Sequence, residues 1–122
     1  MSSTIYKLTR ESGESMQDMQ DWLLRGMVCS ERSFEQIDSK GDVEILLVVF
    51  EKFYFRNGSM ASLTLQCIDD GDTQEATIIG TGGGEGMINL SWGANKNYAN
   101  QARDILLKHG FRVVEQSVRN SL

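Results

Sequence analysis

The stretch VEILLVVFEKFYFRNGSMASLTLQCI, residues 43–68, decides the fold. Residues 43–56 are dominated by Val, Ile, Leu, Phe and Tyr, a composition that suits a pleated, half-buried strand. Asn57-Gly58 then supplies the positive φ of a tight hairpin turn. After the turn, Ala61, Leu63, Leu65 and Cys67 alternate with Ser62, Thr64 and Gln66. The returning strand therefore buries one face and wets the other.

Working outward, DDGD at 69–72 turns the chain into a further strand over 73–81, rich in Thr and Ile. On the other side, residues 29–38 are polar and weakly patterned. They read as an edge strand joined to the hairpin through DSKGD. Residues 5–9 predict a short first strand. Between these, ESGESMQDMQDWLLRGM at 11–27 carries Met16, Met19, Leu23 and Met27 at helical spacing, with Ser15 or Ser12 as N-cap and Arg25 at the negative end of the dipole.

The segment IIGTGGGEGMINLSW, residues 78–92, holds five of the chain's twelve glycines within seven positions. A phosphate-binding loop needs its glycines to lead straight into a helix, whose N–H groups then converge on the anion. Here Met87, Asn89 and Ser91 alternate with Ile88, Leu90 and Trp92, which predicts a strand and makes the glycines a bend. No lysine follows, and Glu85 stands where a third glycine would complete GxGxxG. No nucleotide is expected at residues 80–86.

A second helix is predicted within residues 94–110, capped by Asn95 or Asn97. Tyr98, Ala102, Ile105 and Leu106 share its apolar face and Gly110 ends it. A short strand over 111–115 closes a single domain, residues 1–115, and residues 116–122 read as a frayed tail.

At 122 residues, with 40% hydrophobic and 24% charged side chains and no proline, the composition is that of one globular domain. A net charge of -5 with unclustered bases excludes nucleic acid as the expected partner. The longest apolar run, residues 45–50, is too short for a bilayer, and the N-terminus has no apolar signal segment. A cytoplasmic protein without membrane contact is expected.

Cys29 and Cys67 lack a CxxC or histidine-spaced partner and are expected as free thiols, with no metal site. Asp69, Asp70 and Asp72 form an acidic turn that lacks the spacing and closing glutamate of a calcium loop. His109, the single histidine, sits at a helix end where a surface role is expected. No catalytic residue and no cofactor is assigned.

Glu51 is the exception worth following. In a regular strand it shares a face with Val43, Ile45, Leu47, Val49, Phe53 and Phe55. Either that face is buried and the carboxylate is desolvated, or a β-bulge swings Glu51 and Lys52 to solvent.

GDVEILLVVFEKFYFRNGSMASLTL, followed by TGGGEGMINLSWG and a closing helix, resembles an uncharacterised bacterial family, a domain of unknown function, over residues 41–107. Gly41, Asp42, Val43, Glu51, Tyr54 and Trp92 are the positions that fit, while the extra glycines and Glu85 depart from its pattern. The resemblance implies a shared fold and no established activity.

The element order predicts an α+β fold: an antiparallel meander sheet of five or six strands with both helices on one face, as in helix-grip folds. The expected function is that of a non-enzymatic binding or protein-interaction domain. Glu51, Tyr54 and Trp92 are the candidate ligand-binding residues. The alternative is a small enzyme or ligand pocket centred on Glu51 between helices and sheet, using His109 or a cysteine. Leu46, Val48, Phe50 and Tyr54 make the long strand apolar on its second face as well, which predicts a homodimer through that face, with an apolar small ligand or another protein as the other cover.

Overall fold

In the computed structural model, the chain runs through β1 (Ser2–Glu11), α1 (Met16–Gly26), β2 (Glu31–Lys40), β3 (Val43–Tyr54), β4 (Ser59–Asp69), β5 (Thr73–Gly82), α2 (Ile88–Lys108) and β6 (Arg112–Asn120). The structure describes residues 2–28, 30–54, 58–82 and 88–120. The side chains of Ser2, Tyr54, Ser59, residues 88–95 and Asn120 lie outside that description. The strands form one antiparallel sheet in the order β2-β3-β4-β5-β1-β6. β2 to β5 are the expected meander, and β1 completes the sheet beside β5 with β6 outside it.

Both helices cover the same face. α2 lies over β5, β1 and β4, and α1 over β3 and β2. α1 begins at Ser15, whose Oγ accepts the Asp18 N–H at 3.1 Å, and buries Met16, Met19, Trp22 and Leu23. Gly26 permits the close approach of the two helices, because a Cβ there would stand 2.9 Å from Cδ1 of Ile105. Just beyond the C-terminal end of α2, Gly110 takes φ 90° and Phe111 N–H bonds back to the Leu106 carbonyl, closing the helix as the glycine predicts.

The register fixes which residues enter the core. Even-numbered residues of β3 pair with odd-numbered residues of β4: Leu46 with Cys67, Val48 with Leu65, Phe50 with Leu63. Directly paired residues share a face. The strict alternation of β4 therefore carries Leu46, Val48 and Phe50 into the core, at 0–2% exposure. These residues were expected on an uncovered second face. The uncovered face instead holds the odd series Ile45, Leu47, Val49 and Phe53, and Glu51 with it.

Two further expectations are corrected. Residues 88–92 are the first turns of α2 and not a strand. Leu90 and Ala94 stand at four-residue spacing ahead of Tyr98, Ala102 and Leu106, a helical series that outweighs the short alternation at 87–92. Residues 116–120 are not a frayed tail, since β6 pairs with β1 out to Asn120 opposite Ser2. Val113, Val114 and Val118 give that strand its β preference, although its edge position leaves them 39–58% exposed.

Candidate functional site

Pairing across the sheet arranges the uncovered face in rows that run from β2 to β6. The central row is Phe34, Val49, Thr64, Ile79, Ile5 and Ser117. Next to it lie Gln36, Leu47, Gln66, Thr77, Lys7 and Glu115, then Asp38, Ile45, Ile68, Glu75, Thr9 and Arg112. Phe34, Phe53 and Met60 are each 45% exposed and Ile68 is 37% exposed, while Ile5, Ile45, Leu47, Val49 and Ile79 are half-buried by their neighbours in the sheet alone. An apolar band thus crosses five of the six strands with none of the described elements over it. A bulge in β6 opposite Lys7 and Leu8 leaves a depression of about 300 Å³ on this face, lined by Lys7, Thr9, Glu75, Thr77 and Val114 among others.

Glu51 lies in the row that begins at Glu31 and continues through Ser62, Thr81 and Ser3 to Arg119. It is exposed and accepts a hydrogen bond from Ser33 Oγ. The bulge that was one of its two predicted surroundings exists, but in β2, where the register shifts between Arg32 and Phe34. β3 passes Glu51 without interruption, so the carboxylate points away from the helices. It does not line a pocket between helices and sheet. The side chains of Tyr54 and Trp92 lie outside the described residues, as do Cys29 and residues 83–87 of the glycine segment.

The helix-covered face carries a polar cluster that sequence reasoning missed. Arg10 donates from Nε to Gln74 Oε1 at 2.6 Å, from Nη1 to the His109 carbonyl at 2.5 Å and from Nη2 to Glu14 Oε2 at 3.0 Å. The Trp22 indole N–H reaches the same Glu14 oxygen at 3.0 Å, and Gln74 donates to the Glu14 carbonyl and to Asp69. Ser12 Oγ donates to the other oxygen of Asp69 at 2.7 Å. The His109 ring stacks on Trp22 with centroids 3.7 Å apart and planes 4° from parallel. Arg10 lies 4.5 Å from the Phe111 ring centroid. This knot ties β1, the start of α1, the β4–β5 turn and the end of α2 together. Gln74, near the start of β5 and in step with the core-facing Ala76 and Ile78, was the one available signal.

The knot's electrostatics follow from its contacts. Burial pushes the Glu14 carboxyl up, but the Trp22 N–H, the Arg10 guanidinium and the charge of His109 outweigh it and hold it below the ordinary 4.5. Burial likewise raises Asp69, and donors from Gln74, Ser12 and the Gly71 N–H, with Arg10's charge, bring it below the ordinary 3.8. Asp70 spends its carboxylate on the N–H groups of Thr73 and Asp72, as a turn-forming aspartate does. Burial pushes the free Cys67 thiol up to about 12, which leaves it a core side chain and not a nucleophile.

At the sheet edge a groove of about 440 Å³ runs between α1 and β2, lined by Leu24, Met27, Ser30, Glu31, Arg32 and Phe50. Among the described residues no group of three or more His, Cys, Asp or Glu is placed to hold a metal ion, and no helix is long and apolar enough to cross a membrane.

A family model matches residues 1–110, from β1 to the glycine that ends α2. The chain belongs to DUF6054, a family of unknown function. The DUF6054 match takes in β1 and α1, which precede the hairpin on which the resemblance in the sequence rests. It therefore covers the Arg10 knot except for Phe111, and five of the six strands that build the uncovered face. No curated protein matches this DUF6054 chain.

Proposed function

We propose that the chain is an interaction domain, not an enzyme, and that its working surface is the uncovered face of the sheet. The observation that carries this reading is the apolar band from Phe34 through Val49 to Ile79 and Ile5, which neither described helix covers. Apolar surface exposed in a contiguous band rather than as scattered single residues marks an interaction site. The distribution of polar groups supports the same reading. Among the described residues on the helix side, Arg10, Glu14, Asp69 and Gln74 bond to one another in the knot, and Tyr6 bonds to Asn100 and Arg103, so these polar groups are engaged in holding the fold together.

Carbene footprinting tests this reading. The full chain, labelled inside cells of its own source and again as dilute purified protein, should show Ile5, Leu47, Val49 and Ile79 protected in the cell and labelled in dilution. Equal labelling in both settings would mean that nothing covers the face, and would overturn the reading.

A further inference from the structure

We infer that the occupant of the uncovered face is a second copy of this chain, packed sheet on sheet about a two-fold axis that runs parallel to the strands. The inference rests on the reading of that face as the working surface, and adds its partner and geometry.

Size comes first. Six strands about 4.8 Å apart and about nine paired residues long give a face of about 24 Å by about 30 Å, roughly 700 Å² in plan before side-chain relief is counted. A stable interface takes about 800 Å² from each partner. One flat sheet face on another therefore uses the whole surface in a single contact.

Charge then selects the partner. On the β2 edge the face carries Glu31 and Asp38, and on the β6 edge it carries Arg119 and Arg112. Glu31 and Arg119 end the same row, and Asp38 and Arg112 end another. No ion pair among the described residues uses any of the four. A two-fold along the strands lays the β2 edge of one copy over the β6 edge of the other and keeps each row on itself. Glu31 then meets Arg119 and Asp38 meets Arg112, twice each. A two-fold across the strands would set Glu31 over Asp38 and Arg112 over Arg119, like on like. For these four edge charges only the first is self-complementary.

Shape agrees with charge. The strand-parallel axis places β3 of the second copy over β1, so its Ile45 and Leu47 come over Thr9 and Lys7. That is where the β6 bulge opens the 300 Å³ depression. In the central row Val49 comes over Ile5 and Thr64 over Ile79. Aligned packing with a rotation of about 30° between the sheets accommodates their twist.

The test is a charge-reversal series on the full chain, followed by sedimentation equilibrium. The wild-type chain should have twice the 13.7 kDa mass at micromolar concentration. Arg112→Glu with Arg119→Glu should raise the dimer dissociation constant at least tenfold, and so should Glu31→Arg with Asp38→Arg. An equimolar mixture of the two double variants should recover the dimer, because every edge contact is again acid on base. All four changes sit on exposed or half-exposed edges and should leave the circular dichroism spectrum unchanged. A monomeric wild type would overturn the second copy as occupant, while cellular protection of the face would still stand as evidence of another partner. A dimer indifferent to both reversals, or a mixture that stays monomeric, would overturn the strand-parallel geometry.

Discussion

The two faces of β3 are nearly equal in composition and opposite in fate. Leu46, Val48 and Phe50 lie under the helices at 0–2% exposure, whereas Ile45, Leu47 and Val49, one residue along, remain half-buried with none of the described elements above them. Hydrophobicity alone did not choose between them. The choice came from β4, whose Ala61, Leu63, Leu65 and Cys67 pair with the even series and leave the odd series opposite Ser62, Thr64 and Gln66. A strand apolar on both faces takes its orientation from the more decisive neighbour.

The sharpest way to break this comparison is to shorten one leucine on each face. Leu46→Ala should cost about 2–5 kcal/mol of unfolding free energy, because the cavity opens in a packed core. That cost should be the same at every protein concentration. Leu47→Ala should cost under about 1 kcal/mol in dilute protein, with a larger loss appearing only where the chain associates. Urea titrations at two concentrations measure both. Equal losses for the two leucines in dilute protein would mean that the faces do not differ as the register requires.

The same register explains what was legible in the sequence. The strands of the meander and their turns could be read because alternation and turn residues such as Gly41 and Gly71, both at positive φ, mark them independently of the rest of the chain. The orientation of β3 was also within reach. A two-residue hairpin turn pairs even residues with odd ones, so the buried odd positions of β4 already required the even positions of β3 to face the core. Counting apolar residues on β3 alone hid that. The start of α2 was not legible by alternation, since Met87 to Trp92 fits a period of two over six residues and the four-residue series from Leu90 appears only when the window extends to Leu106. Because α2 does follow the glycine segment, the argument from context against an anion loop falls, and the missing lysine and Glu85 are what remain of it. The Arg10 knot joins residues up to 99 positions apart, a convergence that no local pattern announces.

That knot supplies the next largest effect, and it lies wholly on the covered side. Arg10→Met keeps the aliphatic packing against Phe111 but strips Gln74, the His109 carbonyl and Glu14 of their donor. A loss of about 1–3 kcal/mol is expected, since partly buried acceptors are left unpaired. Denaturation midpoints with an unchanged urea slope would register it. A loss under about 0.5 kcal/mol would mean that water replaces the guanidinium freely, and that the helix side is held by apolar contacts alone.

A smaller effect is expected from acid. Glu14 and Asp69 are held below their ordinary 4.5 and 3.8 in the folded chain. Their contribution is therefore fully present above the ordinary values, and drains away as the pH falls through the lowered folded ones. Stability attributable to them should be level from pH 7 to about pH 5 and fall below that. Glu14→Gln should be less stable than wild type at neutral pH and should narrow the gap as the solution is acidified. A gap that widens on acidification would reverse the sign of the Glu14 shift.

The smallest expected effect is at Glu51, the residue on which the sequence reading placed most functional weight. Had its face been the buried one, an unpaired carboxylate would have cost several kcal/mol and Glu51→Gln would have moved stability strongly in one direction or the other. On the uncovered face two modest terms oppose each other. The neutral side chain weakens the hydrogen bond from Ser33, and it relieves the repulsion of Glu31 directly across the strand pair. Glu51→Gln should therefore change the unfolding free energy by no more than about 0.5 kcal/mol. In the two-fold arrangement Glu51 comes over Ser3 of the second copy, a neutral neighbour, so association should barely respond as well. A change in unfolding free energy above about 2 kcal/mol would place Glu51 in surroundings that an exposed carboxylate cannot have, and would overturn the register-based assignment of the two faces.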